Sequence, residues 1–415
     1  MKLIGHPPAG YLALLRRNGN FRNLWFGEVV SNFGDWFNLI ASATLIGSLG
    51  RSGLELGGLF VVRMVAPFLV SPVAGVAADR YNRRHLMIAA DVLRALVVCG
   101  FLLVSSPADI WLLYTLSALQ AALSGFFTPA RNALFPDIVD ERELGPANAL
   151  SASTFAVMLA VGAAAGGFAA GLLGVYETFL VDAASYGVSA LLIASVKTTH
   201  QRSAARVSLG YFYQQYADGL AYLRRHTEIA FLVMHKGLNA FFITGGLNVL
   251  TATIAARAFP LGEGGGLSMG VLYAVTGLGT GFGPLLARRV TGDDERRMRQ
   301  GLVASYLISA LGLAIAAPLH SFTMVAIGLC IRAMGGGLNF VYSTQLLMTR
   351  VPGAYRGRVF GTEYAIRTLL NALGTLGISL CLDRWFDAGG MLVVTAILAL
   401  VPALAWWWWL RKYPL

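Results

Sequence analysis

The sequence predicts an all-α integral membrane protein with twelve transmembrane helices in two pseudo-symmetric six-helix bundles. Three observations carry that expectation. Of 415 residues, 56% are hydrophobic and only 13% charged, whereas about a quarter of an ordinary soluble domain is charged. A span needs roughly 20 mostly apolar residues, and that ruler finds twelve stretches: 23–49, 54–78, 86–104, 109–132, 147–172, 177–196, 229–256, 267–287, 300–318, 321–347, 358–382 and 389–410. The halves also echo each other, because "GVAADRYNRRH" from Gly75 and "GPLLARRVTGDDERR" from Gly283 both follow the second span of their half, 208 residues apart. The longest polar stretch divides the spans six and six, giving an N-terminal bundle (1–196), a linker (197–227) and a C-terminal bundle (228–415).

Charge sets the topology. Of the 32 lysines and arginines, 24 fall on the side that holds both termini, and only Arg51, Arg257 and Arg384 on the other. The positive-inside rule then places both termini in the cytoplasm, with the chain in the cell inner membrane and in contact with its lipids. The net charge of +11 is thereby a topology signal, and no nucleic-acid partner is expected. No short apolar region with a small-residue cleavage site opens the chain, so the first span is expected to target it. Cys99, Cys330 and Cys381 lie inside spans without CxxC spacing, which predicts core packing rather than disulfides or zinc.

Taken in order, the elements carry polar residues in patterns. Span one places Glu28, Ser31, Asn32, Asp35, Asn38 and Ser42 at steps of three and four, on one face. Span two holds Arg63 near mid-depth, and Asp91 and Arg94 in span three, at i and i+3, are expected to satisfy each other. Span four repeats the stripe with Ser117, Gln120, Ser124, Thr128 and Arg131. In the linker, Leu209, Phe212, Tyr216, Leu220 and Leu223, ending on Arg224 and Arg225, predict an amphipathic helix on the membrane surface. Span seven offers Lys236, Asn239, Thr244, Asn248 and Thr251, and span ten Arg332, Asn339 and Ser343. "GEGGGLSMG" (262–270) predicts a flexible external loop, and Trp406 to Trp409 beside Arg411 and Lys412 an interfacial anchor. Spans nine and twelve are almost wholly apolar and are expected to face lipid.

Buried ionisable groups are expensive in a bilayer, so striped faces map a water-filled path. The striped helices are the first and fourth of each half. Asp35, half-way along span one, is the leading candidate for loading and releasing a proton; Glu28, seven residues and roughly 10 Å nearer the cytoplasm, is the second proton-coupling candidate. Under the 208-residue offset Glu28 corresponds to Lys236, and the two are expected to pair when the cytoplasmic mouth closes. The substrate cavity is expected at Asn32, Asn38, Arg63, Gln120, Ser124, Asn239, Asn248, Arg332 and Asn339. Arg63 and Arg332 are each either counter-ions of Asp35 or contacts for an anionic substrate. Glu363 and Arg367, at i and i+4 in span eleven, either pair near the cytoplasmic gate or join the pathway. The six scattered histidines and the lack of GxSxG, HExxH or a phosphate loop predict no enzyme, no metal and no cofactor.

Several of these stretches resemble one family. Gly75, Asp79, Arg80, Arg83 and Arg84 match the G-x-x-x-D-R-x-x-R-R loop between helices two and three of the major facilitator superfamily. "SNFGDWF" in span one, "FTPARNALFPDIVDERELGPANAL" after span four and "VPGAYRGRVFG" before span eleven look like its efflux branch of enterobactin exporters and macrolide-efflux proteins. "VGAAAGG" in span five is similar to the G-P-x-x-G-G antiporter motif, with Ala163 at the proline position. The resemblance implies that Asp79 caps the helix starting near Arg358 and that Gly75, Arg80 and Arg83 complete a cytoplasmic latch; Arg84 in the same loop is expected to act as a positive-inside surface anchor, and depth and spacing place Lys236, Glu363 and Arg367 at the same gate. Ala287 stands where a second-half aspartate would be, which makes the latch one-sided. The function expected is export of a small organic molecule, a drug-like compound or siderophore, by proton antiport and alternating access in a monomer. The alternatives are a facilitator moving lysophospholipid or a nutrient inward, and a non-transporting scaffold or receptor.

Overall fold

The computed structural model describes residues 11–49, 52–140, 157–198, 209–292 and 294–412, with five isolated positions between 143 and 154; these form helices joined by short turns, without a strand. Span one is Gly19–Ser48, two Gly53–Arg80, three Arg83–Gly100, four Ile110–Ile138 and six Val175–Ala194. Span seven is Thr227–Ala258, eight Gly266–Thr291, nine Glu295–Ala316, ten Phe322–Arg350, eleven Gly353–Arg384, and twelve Ala388–Leu398 continued by Leu400–Lys412. Ten of the described helices are long and apolar enough to cross a membrane. Span one is 30 residues long but diluted by its polar stripe, and the described part of span five, Met158–Leu172, is shorter.

The helices start where side chains satisfy their free N–H groups. Asn18 accepts from the Phe21 N–H, Ser52 and Glu55 form a reciprocal capping box, and Asn82, Asp294, Ser321 and Asp387 cap spans three, nine, ten and twelve. Several helices outrun the apolar ruler: span four continues to Ile138, and span eleven begins at Gly353 behind Pro352, not near Arg358. The ruler measures hydrocarbon, whereas a helix persists into the polar boundary. Span seven loosens at two i→i+5 turns, with Gly245 N–H bonded to Ala240 and Phe259 N–H to Ile254. The hydroxyl of Thr375 in span eleven donates to the Gly245 carbonyl, replacing a bond the loosened helix lacks.

The two halves meet along spans five and eight and along spans two and eleven. Backbones touch there: a Cβ on Gly167 would lie 2.3 Å from the Cα of Gly270, and one on Gly57 2.1 Å from the Ser379 hydroxyl. In span five's glycine motif, Gly162 and Gly166 back onto Trp36 and Phe37 of span one, while Gly167 faces span eight. Asp383 at the end of span eleven accepts from the Gly53 and Leu54 N–H groups at 2.7 and 2.9 Å, capping span two across the divide. These contacts gather on the far face, opposite the one where span one starts and span twelve ends. Span one records the asymmetry: from Phe37 to Ile46 every side chain but Leu39 is buried, whereas Asn32, Phe33, Asp35 and Trp36 are partly exposed. Span one is therefore packed more tightly toward the far face than toward the terminal face.

Four expectations are corrected. The glycine-rich turn is close-packed rather than flexible: Gly262, Gly264 and Gly265 take φ of 72°, 51° and 80°, and a Cβ on Gly265 would lie 2.3 Å from the Ala255 carbonyl oxygen. The tryptophan run is split by helical periodicity, since Trp406 and Trp409 stack on Phe231 in the core, leaving Trp407 and Trp408 exposed under Arg411 and Lys412. Span nine is not simply lipid-facing, because Ser305, Tyr306 and Ser309 are buried. Cys99 is exposed rather than core. In the linker, helix Leu209–Arg225 packs Tyr222 and Leu223 against the start of span eleven, where Tyr222 stacks on Tyr355 and Asp218 lies 3.6 Å from Arg358. The side chains of Leu209 and Phe212 lie outside what is described.

Candidate functional site

The N-terminal half builds a buried polar cluster at mid-depth. Gly34 of span one has no side chain because span six occupies the space: a Cβ there would sit 2.0 Å from the Ser185 hydroxyl and 2.5 Å from an Asp182 oxygen. That approach brings Asp35 to Tyr186, whose hydroxyl donates to it at 2.6 Å, and to Arg94 at 3.7 Å. Asp35 keeps 32% of its side chain exposed. Arg94 is buried, pairs with Asp91 as expected from their spacing, and lies under the rings of Tyr186 (4.3 Å) and Phe127 (5.0 Å). Gln120 donates to Asp182 at 3.2 Å and to the Tyr186 oxygen at 2.9 Å, and Arg63 donates to Asn38 at 2.9 Å and to Gln120 at 3.5 Å.

Asp35 is thus not the solitary acid that span one suggests. Asp182 and Tyr186 join it from span six, where Thr178, Asp182, Ser185 and Ser189 repeat at steps of four, three and four and are all buried. That stripe is legible by the same periodicity, but lies outside the first-and-fourth-helix pattern. Of the expected cavity residues, Asn38 and Gln120 are buried inside this network, whereas Asn32, Arg63 and Ser124 are partly exposed. Arg63, engaged by two amides of its own half, stands beside the acids.

In the C-terminal half, Asn239 and Asn248 are partly exposed, and Tyr273 donates to Asn248 at 3.1 Å. The Tyr273 ring meets Trp36 of the other half at 5.7 Å. Asn339 does not face the cavity: it is buried, donates to Ser305 at 3.1 Å, and lies 3.4 Å from His235, which also contacts Tyr306. Arg332 is 5% exposed, and its Nε and Nη2 have no hydrogen-bond partner. No carboxylate among the described residues neutralises it.

In this conformation Glu28 and Lys236 each have a partner within their own half, and the pairing expected on closure of the cytoplasmic mouth is a property of another state. Glu28 binds Arg131 at 2.9 Å, and Arg131 also donates to Ser151 at 2.6 Å. Lys236 lies 3.1 Å from Glu363, which is 3.3 Å from Arg367, so these gate residues form one chain within the C-terminal half. Removing one partner of a buried pair strands the other charge. Lys236→Met should lower stability by about 3–5 kcal/mol, and adding Glu363→Met should restore most of it. Thermal unfolding of both purified variants checks this; an unaltered single variant contradicts it.

The arginine loop also acts within one half. Arg83 binds Asp137 at 2.6 Å and the Ala133 carbonyl at 2.9 Å, at the end of span four. Arg84 donates to the Ala194 carbonyl at the end of span six, which makes it more than a surface anchor. Gly75 is partly buried and Arg80 exposed. The Asp79 side chain lies outside what is described. Pro352, at the cap position of span eleven, supplies no side-chain hydrogen bond.

Residues 24–375 match the model of the Major Facilitator Superfamily. The chain belongs to this family. It is 26% identical to the uncharacterized MFS-type transporter YfiS of Bacillus subtilis (strain 168) over 88% of this chain and 87% of that protein. It is 24% identical to macrolide efflux protein A of Streptococcus pyogenes over 90% and 93%. A bacterial homologue of the human lysosomal transporter Spinster, solved in an inward-facing, unoccupied conformation, superposes with a TM-score of 0.76 at 14% identity, covering 99% of this chain and 98% of that one. This superfamily member is accordingly a multi-pass membrane transporter of small molecules, with no catalytic function indicated.

Proposed function

We propose that the protein exports a small organic molecule, a drug-like compound or siderophore, across the cell inner membrane by proton antiport. The observation that carries this is Asp35, a carboxylate half-way along span one that keeps part of its surface exposed beside a buried polar cluster. Similarity to macrolide efflux protein A supports the outward direction. With both termini cytoplasmic, as the lysine and arginine distribution supports, the described conformation is inward-facing and ready to take substrate from the cell. Arg63 and Asn32, both partly exposed, are proposed to meet the substrate from the N-terminal half, and Asn239 and Asn248 to offer amides from the other half. Glu28, held by Arg131, serves the mouth of the cavity rather than the proton. The unit acts as a monomer in contact with membrane lipids, and the arginine loop with Asp79 holds its cytoplasmic side during the outward-facing phase.

The test uses proteoliposomes with an acidic lumen and a panel of a macrolide, a catecholate chelator and the tetraphenylphosphonium cation. At least one probe should accumulate against its gradient, and a protonophore should abolish the accumulation. If all three only equilibrate, at every imposed gradient, the antiport reading is wrong.

A further inference from the structure

The excess of acid around Arg94 points to a specific proton. Among the described residues, Asp35 from span one, Asp91 from span three and Asp182 from span six face two cations, Arg63 from span two and Arg94 from span three, with Tyr186 from span six and Gln120 from span four between them. Three carboxylates against two guanidiniums leave one negative charge uncompensated, in a cluster whose Asp91 and Asp182 are fully buried.

The hydrogen bonds decide which acid is neutral. Asp91 pairs with Arg94 and accepts from the Ser189 hydroxyl at 2.6 Å, so both its oxygens are engaged. Asp35 accepts from Tyr186, approaches Arg94 and reaches water. Asp182 has no exposed surface, one oxygen accepting from Gln120 and the other, Oδ1, without a hydrogen-bond partner. Among the described residues no cation lies within ion-pairing distance of it. An ionised carboxylate so placed carries the full cost of desolvation, and the acid form does not.

We propose that Asp182 is protonated in this conformation, and that a cationic group of the substrate takes the place of its proton. The step is an exchange of one positive charge for another: the carboxylic acid gives its proton to cavity water and becomes a carboxylate, while the substrate's cation restores the balance of the cluster. This rests on the antiport reading above, and it adds a sign to the substrate. Arg332 stands in the other half, and no contact links it to this cluster.

Infrared spectroscopy of the reconstituted, substrate-free protein at neutral pH tests it. The wild type should have a protonated-carboxyl carbonyl band that Asp182→Asn lacks. Gln120→Leu, which removes the hydrogen bond to Asp182, should shift that band, whereas Tyr186→Phe, which removes one to Asp35, should leave its position unchanged. Saturating tetraphenylphosphonium should bleach it. A band shifted by Tyr186→Phe but not by Gln120→Leu assigns the proton to Asp35 and overturns the proposal, as does a band that survives Asp182→Asn or its absence from the wild type. Bleaching by the catecholate probe alone overturns the sign of the substrate. A band behaving as expected in a protein whose transport ignores the pH gradient keeps the assignment to Asp182 and defeats antiport.

Discussion

Gly167→Val should drive the protein out of the conformation in which spans five and eight touch at the far face. A Cβ at this position would lie 2.3 Å from the Gly270 Cα and 2.7 Å from the Gly266 carbonyl oxygen, and both obstacles are backbone. Spans five and eight must separate to admit it, which opens the far face. Overpacking a close interface costs about 1–3 kcal/mol, and each 1.4 kcal/mol is a factor of about ten in a two-state ratio. Labelling of a cysteine placed at Asn32 should therefore fall roughly tenfold or more from the terminal face and rise from the far face, and transport should stop. Gly187→Val supplies the control, because nothing lies within 4 Å of its Cβ position. Equal labelling in both variants would mean that this interface does not set the conformation.

Asp35→Asn should abolish accumulation driven by a pH gradient while leaving expression, folding and downhill exchange intact. The substitution keeps the shape of the side chain and its contact with Tyr186. It removes the one carboxylate of the cluster that reaches water, and with it the group through which the buried acids exchange a proton. A proteoliposome assay with the best-transported probe checks this, and a variant that still accumulates it in proportion to the gradient contradicts the role of Asp35.

Helix positions were legible because apolar length is what a bilayer demands, and the polar stripe of span one located Asp35 because a carboxylate at that depth needs a reason to be there. Its partners were harder to read. Span six shows a polar stripe by its own periodicity, but that Asp182 meets span one emerges only once Gly34 is recognised as the space that Asp182 and Ser185 fill, a relation between positions some 150 residues apart. Asn339 illustrates the opposite error. It shares periodicity with cavity residues, yet its partners Ser305 and His235 come from neighbouring spans and draw it into the bundle. The partners that Glu28 and Lys236 have in this state, Arg131 and Glu363, come from spans four and eleven, and no spacing within spans one and seven contains them.

Antiport at this site requires that binding of substrate releases a proton, and that can be measured directly. Purified wild-type protein in weak buffer, titrated with the best-transported probe, should acidify the medium by close to one proton per protein, the excess of Asp35, Asp91 and Asp182 over Arg63 and Arg94. Asp35→Asn should bind the probe without acidification. Saturable binding to the wild type with no change in pH would contradict the account.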